Sequence, residues 1–193
     1  MSTVTINNSP IHDDSILTGV YGETGSSWVT CGFHTGTDFA PYGQTVPQPM
    51  IYSVCEGTVV EVHSSPSGAL GCYVVIEDND GNYWRYCHMV EYSLLVNVGD
   101  NVTTNSMLGQ MGDSGTGAQG IHLHLEYATT SYWNCDTFLN PSNYLQIPNE
   151  RGTIVEYDGS IPPTPPTPTG EIKKQKFKWV LYSRKLRNLR SKK

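Results

Sequence analysis

Before residue 170, no stretch of this 193-residue chain sustains a helical hydrophobic period over ten residues. Short runs rich in β-branched and aromatic residues stand there instead, at 50–62, 72–77 and 83–88. Asp78-Asn79-Asp80-Gly81-Asn82 separates the last two and reads as a hairpin turn. Parallel pairing needs long crossovers, usually helical, and none is available. The expected fold class is therefore mainly β, built on an antiparallel β-sheet. Residues 96–102 read as a strand and turn, 109–115 as a glycine-rich loop feeding the next strand, and 140–145 as a short closing turn.

Charge divides the chain. Residues 1–170 hold two basic residues, Arg85 and Arg151, against 17 acids, a net of −15; residues 171–193 hold ten basic residues and one acid, a net of +9. Between these parts runs Ile161-Pro162-Pro163-Thr164-Pro165-Pro166-Thr167-Pro168, a low-complexity linker of extended, semi-rigid character. Tyr182, Leu186 and Leu189 follow i, i+4, i+7, so a short basic amphipathic helix is expected in the tail. The expected organisation is an N-terminal extension 1–16, a main folded domain 17–147, a polar and Pro-Thr linker 148–170, and a basic tail 171–193. No apolar run reaches the roughly 18 residues of a membrane span. Residues 1–8 carry neither the basic nor the apolar region of a secretory signal, so none is expected.

Two short motifs carry the chemistry. Gly32-Phe33-His34-Thr35-Gly36-Thr37-Asp38 supplies an H-x-x-x-D, and Ile121-His122-Leu123-His124-Leu125-Glu126 an H-x-H. On a strand, residues two apart share a face, so His122 and His124 point together while Leu123 and Leu125 enter the core. Imidazole and carboxylate suit zinc, and three protein ligands would leave one position open for hydrolytic chemistry. Glu126 shares the alternation of the histidines and reads either as an orienting partner or as an ordinary hairpin carboxylate. His12 and His63 read as ordinary surface or strand residues. Five cysteines form no C-x-x-C pair, and an odd count argues against a complete disulfide framework. They are expected to be small buried thiols, with zinc ligation by Cys31 or Cys87 a weaker alternative.

The chain resembles the lysostaphin-type, LytM-like zinc endopeptidases of bacterial cell-wall metabolism, over about residues 17–145. The resemblance rests on residues 32–40, Glu56-Gly57-Thr58-Val59-Val60, Tyr86-Cys87-His88-Met89, Val98-Gly99-Asp100-Asn101-Val102, residues 120–126 and Asn140-Pro141-Ser142-Asn143-Tyr144-Leu145. It implies zinc ligation by His34, Asp38 and His124, with His122 and His88 as catalytic histidines that do not touch the metal. The sequence departs from the family pattern at Ile121, where a proline is usual, and in the long segment 44–49 after the first motif.

The implied activity is hydrolysis of stem-peptide or cross-bridge amides in bacterial peptidoglycan. Zinc would acidify a water and polarise the peptide carbonyl, His122 would act as general base, and His88 would serve the oxyanion or shuttle the proton; these two roles can be exchanged. A phage endolysin or virion-associated lysin is the expected setting, placed in the virion or in the host cytoplasm before release to the wall. The basic tail suits a polyanion such as teichoic acid, anionic membrane or nucleic acid, or docking into a virion assembly. The competing class is a non-catalytic wall-binding or assembly module on the same fold; that all five His/Asp positions are filled favours the enzyme.

Overall fold

The computed structural model describes residues 1–25, 31–43 and 48–159. The proline run and the basic tail lie outside these residues. In chain order the strands are β1 (Thr3–Ile6), β2 (Ser15–Gly19), β3 (Gly36–Pro41), β4 (Met50–Tyr52), β5 (Gly57–His63), β6 (Cys72–Asp78), β7 (Tyr83–Met89), β8 (Asn101–Val102), β9 (Met107–Gln110), β10 (Leu123–Ala128), β11 (Phe138–Leu139) and β12 (Ile154–Tyr157). One short helix, α1 (Pro141–Leu145), lies between the last two. As the missing crossovers require, the large sheet is antiparallel almost throughout, in the order β1-β12-β2-β3-β10-β7-β6-β5-β8, with β11 added to β10. The exception is its edge, where β1 and β12 pair in parallel. A second sheet of two strands joins β4 to β9.

The period of two decides what is buried. Phe39, Leu123, Leu125, Trp84, Tyr86, Val74, Ile76 and Val59 leave one face of the large sheet. They pack with Ile51 and Leu108 of the small sheet in one apolar core. The buried Tyr86 hydroxyl accepts the backbone N–H of Val54 at 3.0 Å, so its burial leaves that oxygen satisfied. The opposite face of β3, β10 and β7 is left for polar residues.

The β6–β7 hairpin turns where the sequence indicates. Asp78 Oδ1 accepts the backbone N–H groups of Asp80 (3.0 Å) and Asn82 (2.9 Å), an Asx-type closure. Gly81 takes the positive φ (79°) that the turn needs. Oδ2 accepts the indole N–H of the buried Trp84 at 3.1 Å, tying the turn to the core. In α1, Asn140 caps the Ser142 N–H at 2.9 Å, Pro141 enters at the first turn, and Gln146 ends the helix with φ 57°. The expected closing turn is thus one turn of helix.

Two expectations change. The sheet runs past both ends of the 17–147 span: the N-terminal extension carries β1 and the start of β2, and the expected linker opens with β12. The edge strand β1 hides from a reading of apolar runs because it exposes alternate residues. The cysteines also differ. Cys31 and Cys135 form a disulfide across 104 positions, and only Cys55, Cys72 and Cys87 are buried free thiols. Cys31 is therefore not a ligand, and no local spacing could have announced so distant a pair. Among the described residues no helix is long and apolar enough to cross a membrane.

Asp78→Ala strands two backbone donors and the Trp84 indole together. Its expected cost is about 2–3 kcal/mol, read from urea unfolding, with the native far-ultraviolet spectrum retained. A loss below roughly 0.5 kcal/mol would show that water satisfies those donors.

Candidate metal centre

The register of β3 against β10 builds the site. Asp38 stands directly opposite His124, and Gly36 opposite Glu126. Leu123 and Leu125 go to the core, so His124 and Glu126 emerge together on the polar face, as the alternation demands. His34 sits just before β3 and approaches from the same side. Three donor atoms converge: His34 Nε2 to Asp38 Oδ1 is 3.2 Å, His34 Nε2 to His124 Nδ1 is 3.1 Å, and His124 Nδ1 to Asp38 Oδ1 is 2.8 Å. All three residues are buried. Four ligands at ~2.1 Å from a tetrahedral ion lie about 3.4 Å apart, so this N,N,O triangle has the size and chemistry of a zinc site.

Each imidazole is turned to that point by its other nitrogen. The Nδ1–H of His34 donates to the Val20 carbonyl (3.0 Å), which can only accept, leaving Nε2 for the centre. The Nε2–H of His124 donates to Glu126 Oε1 (3.1 Å), leaving Nδ1. These are the outer partners expected of metal-ligating histidines. Glycines make room for them. A Cβ on Gly19 would collide with Asp38 Oδ2, and one on Gly36 would strike the Leu125 carbonyl and come within 2.9 Å of His124 Cε1.

The electrostatics favour a cation. Burial alone would raise Asp38, but hydrogen bonds from His124 and His34 overcome it and hold the carboxyl well below its ordinary value. Burial alone would lower His124; Asp38 and Glu126 instead lift it to about 10. Glu126, despite burial, is held near about 2 by His124 and then Arg85. The pocket thus demands positive charge at His124 Nδ1, where the triangle closes.

Two further histidines flank the triangle. His122 precedes β10 and donates its Nδ1–H to the Gly120 carbonyl (2.8 Å), with Nε2 3.9 Å from Asp38 Oδ1. His88 donates its Nδ1–H to the Ser114 carbonyl (2.9 Å). Its ring centroid is 4.7 Å from that of His122 and 5.9 Å from that of His124. Burial, reinforced by the neighbouring His124 and His122, lowers His88 to about 4, so it is neutral near pH 7. Both rings therefore turn Nε2 away from their anchoring carbonyls.

Strand alternation alone would not have placed His88 here. Cys87 faces His124 across the β7–β10 ladder, which assigns His88 to the core face. A register shift between Cys72 and Val74 and a left-handed backbone at His88 (φ 61°) break the alternation. The structure thus gathers all five residues expected from the sequence and the resemblance. It adds Val20, Ser114, Gly19 and Gly36 as parts of the frame, and none of these carries a sequence signal beyond glycine itself. Cys87 is fully buried and its thiol is pushed well above its ordinary value by burial, so it stays protonated and outside the ligand set. His12 and His63 are elsewhere: His12 stacks between Tyr52 and Tyr157, and His63 stacks on Tyr73.

Known structures share this fold. The catalytic domain of the antimicrobial peptidase lysostaphin from Staphylococcus simulans is 26% identical, with a TM-score of 0.57 over 68% of this chain and 92% of that domain. The catalytic domain of a prophage-encoded M23 protein from Enterococcus faecalis is 28% identical, with a TM-score of 0.54 over 67% of this chain and 91% of that one. A zinc-containing peptidase from Vibrio cholerae is 31% identical, with a TM-score of 0.51; the match covers 63% of this chain but only 36% of that one. The model of peptidase family M23 matches residues 32–136, a span that holds all five clustered His and Asp residues. With more than half of its length matched, the chain belongs to peptidase family M23.

Proposed function

We propose that this M23 peptidase is a zinc-dependent endopeptidase of bacterial peptidoglycan, cutting stem-peptide or cross-bridge amide bonds. One observation carries the reading: a buried His34/Asp38/His124 triangle, its imidazoles pre-turned by Val20 and Glu126, with two more histidines presenting Nε2 beside it. The named activity of lysostaphin and the zinc of the Vibrio cholerae peptidase support it.

When bound, zinc would supply Lewis-acid polarisation of the scissile carbonyl and acidification of water. His34, Asp38 and His124 would hold the ion. His122 Nε2 accepts the proton of the attacking water, with the Gly120 carbonyl fixing its tautomer. His122 passes that proton to His88 Nε2, whose ring lies 4.7 Å away centroid to centroid, and His88 delivers it to the leaving amine as the amide C–N bond breaks. Neutrality near pH 7 suits His88 to receiving that proton.

The setting we propose is phage lysis, as an endolysin or a virion-associated lysin acting from the virion or the host cytoplasm. Similarity to a prophage-encoded M23 protein supports it. The basic residues 171–193 would then hold the enzyme on a polyanion such as teichoic acid; salt-sensitive co-sedimentation with walls is the expected result, and no binding at low salt argues against it.

Purified peptidoglycan digested with and without a chelator, with new termini identified by mass spectrometry, tests activity, metal need and bond together. Release of peptide amines that stops on chelation and returns with zinc is expected; chelator-resistant release would reject the zinc mechanism. His124→Ala and Asp38→Ala should each lose stoichiometric zinc and activity together. His122→Ala should keep its zinc while kcat falls by about 10²–10⁴, the usual worth of a general base. Near-normal turnover by that variant would move the base role to His88.

A further inference from the structure

Glu126 follows His124 by two residues on β10 and is 2% exposed. A carboxylate so buried needs its lone pairs filled. Thr35 donates its hydroxyl to Oε1 at 2.6 Å, and His124 donates its Nε2–H to the same oxygen at 3.1 Å. Arg85 Nε donates to Oε2 at 2.5 Å, and Arg85 Nη2 also pairs with it. Here the carboxylate bridges the guanidinium to a ligand histidine, with the residue after His34 as a third partner.

Arg85 is itself clamped. It stands opposite Glu126 in the β7–β10 register. Its guanidinium carbon lies 4.0 Å from the centroid of the Trp133 ring and 5.9 Å from that of Tyr73. Trp133 lies two residues before Cys135, and the disulfide carries the chain from there to Cys31, three residues before His34. A closed circuit of contacts and bonds therefore runs from the His34 segment through the disulfide, Trp133, Arg85 and Glu126 to His124.

We infer that Arg85 and Glu126 are positioning residues of the metal centre: the guanidinium held under Trp133 fixes the Glu126 carboxylate, and that carboxylate fixes the His124 ring with Nδ1 toward Asp38 and His34. The inference rests on the zinc reading above. Its physical content is twofold. An acceptor at Nε2 selects the tautomer whose lone pair is on Nδ1, and it stops the ring from rotating out of the triangle. Arg85 matters because Glu126, without its guanidinium, would be drawn away by any other donor within reach.

Zinc affinity of the full-length chain, measured by competition with a chromogenic chelator, tests this. One zinc per wild-type chain is expected; failure at that step rejects the metal reading itself, before any variant is compared. Removing such an outer partner weakens metal binding by about 10–100-fold, the loss expected for Glu126→Ala and Arg85→Met. Glu126→Gln, which keeps an oxygen for the Nε2–H, should recover part of that loss. Arg85→Lys keeps the charge but not the planar fork over Trp133, and should still weaken zinc by roughly threefold or more. This last variant leaves Glu126 in place and carries the comparison if Glu126→Ala does not fold. A merely structural ion pair would lower the melting temperature of all four variants and leave the zinc Kd at its wild-type value, which would overturn the inference.

Discussion

The antiparallel pairing of β3 with β10 is the constraint on which the rest depends. It sets Asp38 against His124 and Gly36 against Glu126, and so decides where carboxylate and imidazole meet. A slip of one residue would turn His124 and Glu126 into the core and bring Leu123 and Leu125 out. The apolar alternation of β10 forbids that slip, because Leu123 and Leu125 are completely buried in the core that Phe39 shares. The same hydrophobic burial that folds the sheet therefore sets the position of the polar cluster on its other face. Gly36 completes the arrangement by letting β3 approach where a side chain would strike the Leu125 carbonyl.

Placing so many ionisable groups under cover is costly unless each is paired. His34, Asp38, Arg85, His88, His124 and Glu126 are all buried. Two carboxylates against one guanidinium leave a negative excess beneath the imidazoles. His124, lifted to about 10 between Asp38 and Glu126, answers that excess with a proton, and a metal ion at its Nδ1 would answer it equally. The pairing pattern, as well as the ligand types, therefore places negative charge where the three donor atoms converge. Glu126 takes part from outside the triangle, since it is held low chiefly by His124 and then by Arg85.

Much of this was legible in the sequence, for identifiable reasons. The class followed from missing helical periods, and the shared face of His124 and Glu126 from a period of two. The β6–β7 turn was written in Asp78 and Gly81, whose roles are local. What was not legible is non-local. The edge strand β1 exposes alternate residues and β12 is only four residues long, so both acquire meaning only by pairing, β1 with β12 and β12 with β2. The disulfide joins residues 104 positions apart. Arg85 is one of two basic residues before residue 171; its partners come from β10 and from the loop carrying Trp133, and no spacing along the chain brings them together. Val20 and Ser114 act through backbone carbonyls, to which side-chain identity is nearly silent.

His88 shows where local rules yield to the site. Regular alternation along β7 sends Trp84 and Tyr86 into the core and would send His88 after them. A left-handed backbone at a histidine costs of order 1 kcal/mol or more and persists only where the surroundings over-determine it. They do so here: the His88 N–H donates to the Leu70 carbonyl at 3.0 Å, and its Nδ1–H to Ser114. Ser114 in turn donates its hydroxyl to the Met89 carbonyl and accepts the Cys72 N–H. The register shift, the segment carrying Ser114 and the positive φ thus form one device that carries an imidazole from the core face to the polar face. A strand that broke its own alternation merely to fold would gain nothing from doing so. The break sets the His88 ring 4.7 Å from that of His122, centroid to centroid, and the resemblance to a hydrolase family pointed to His88 where spacing could not.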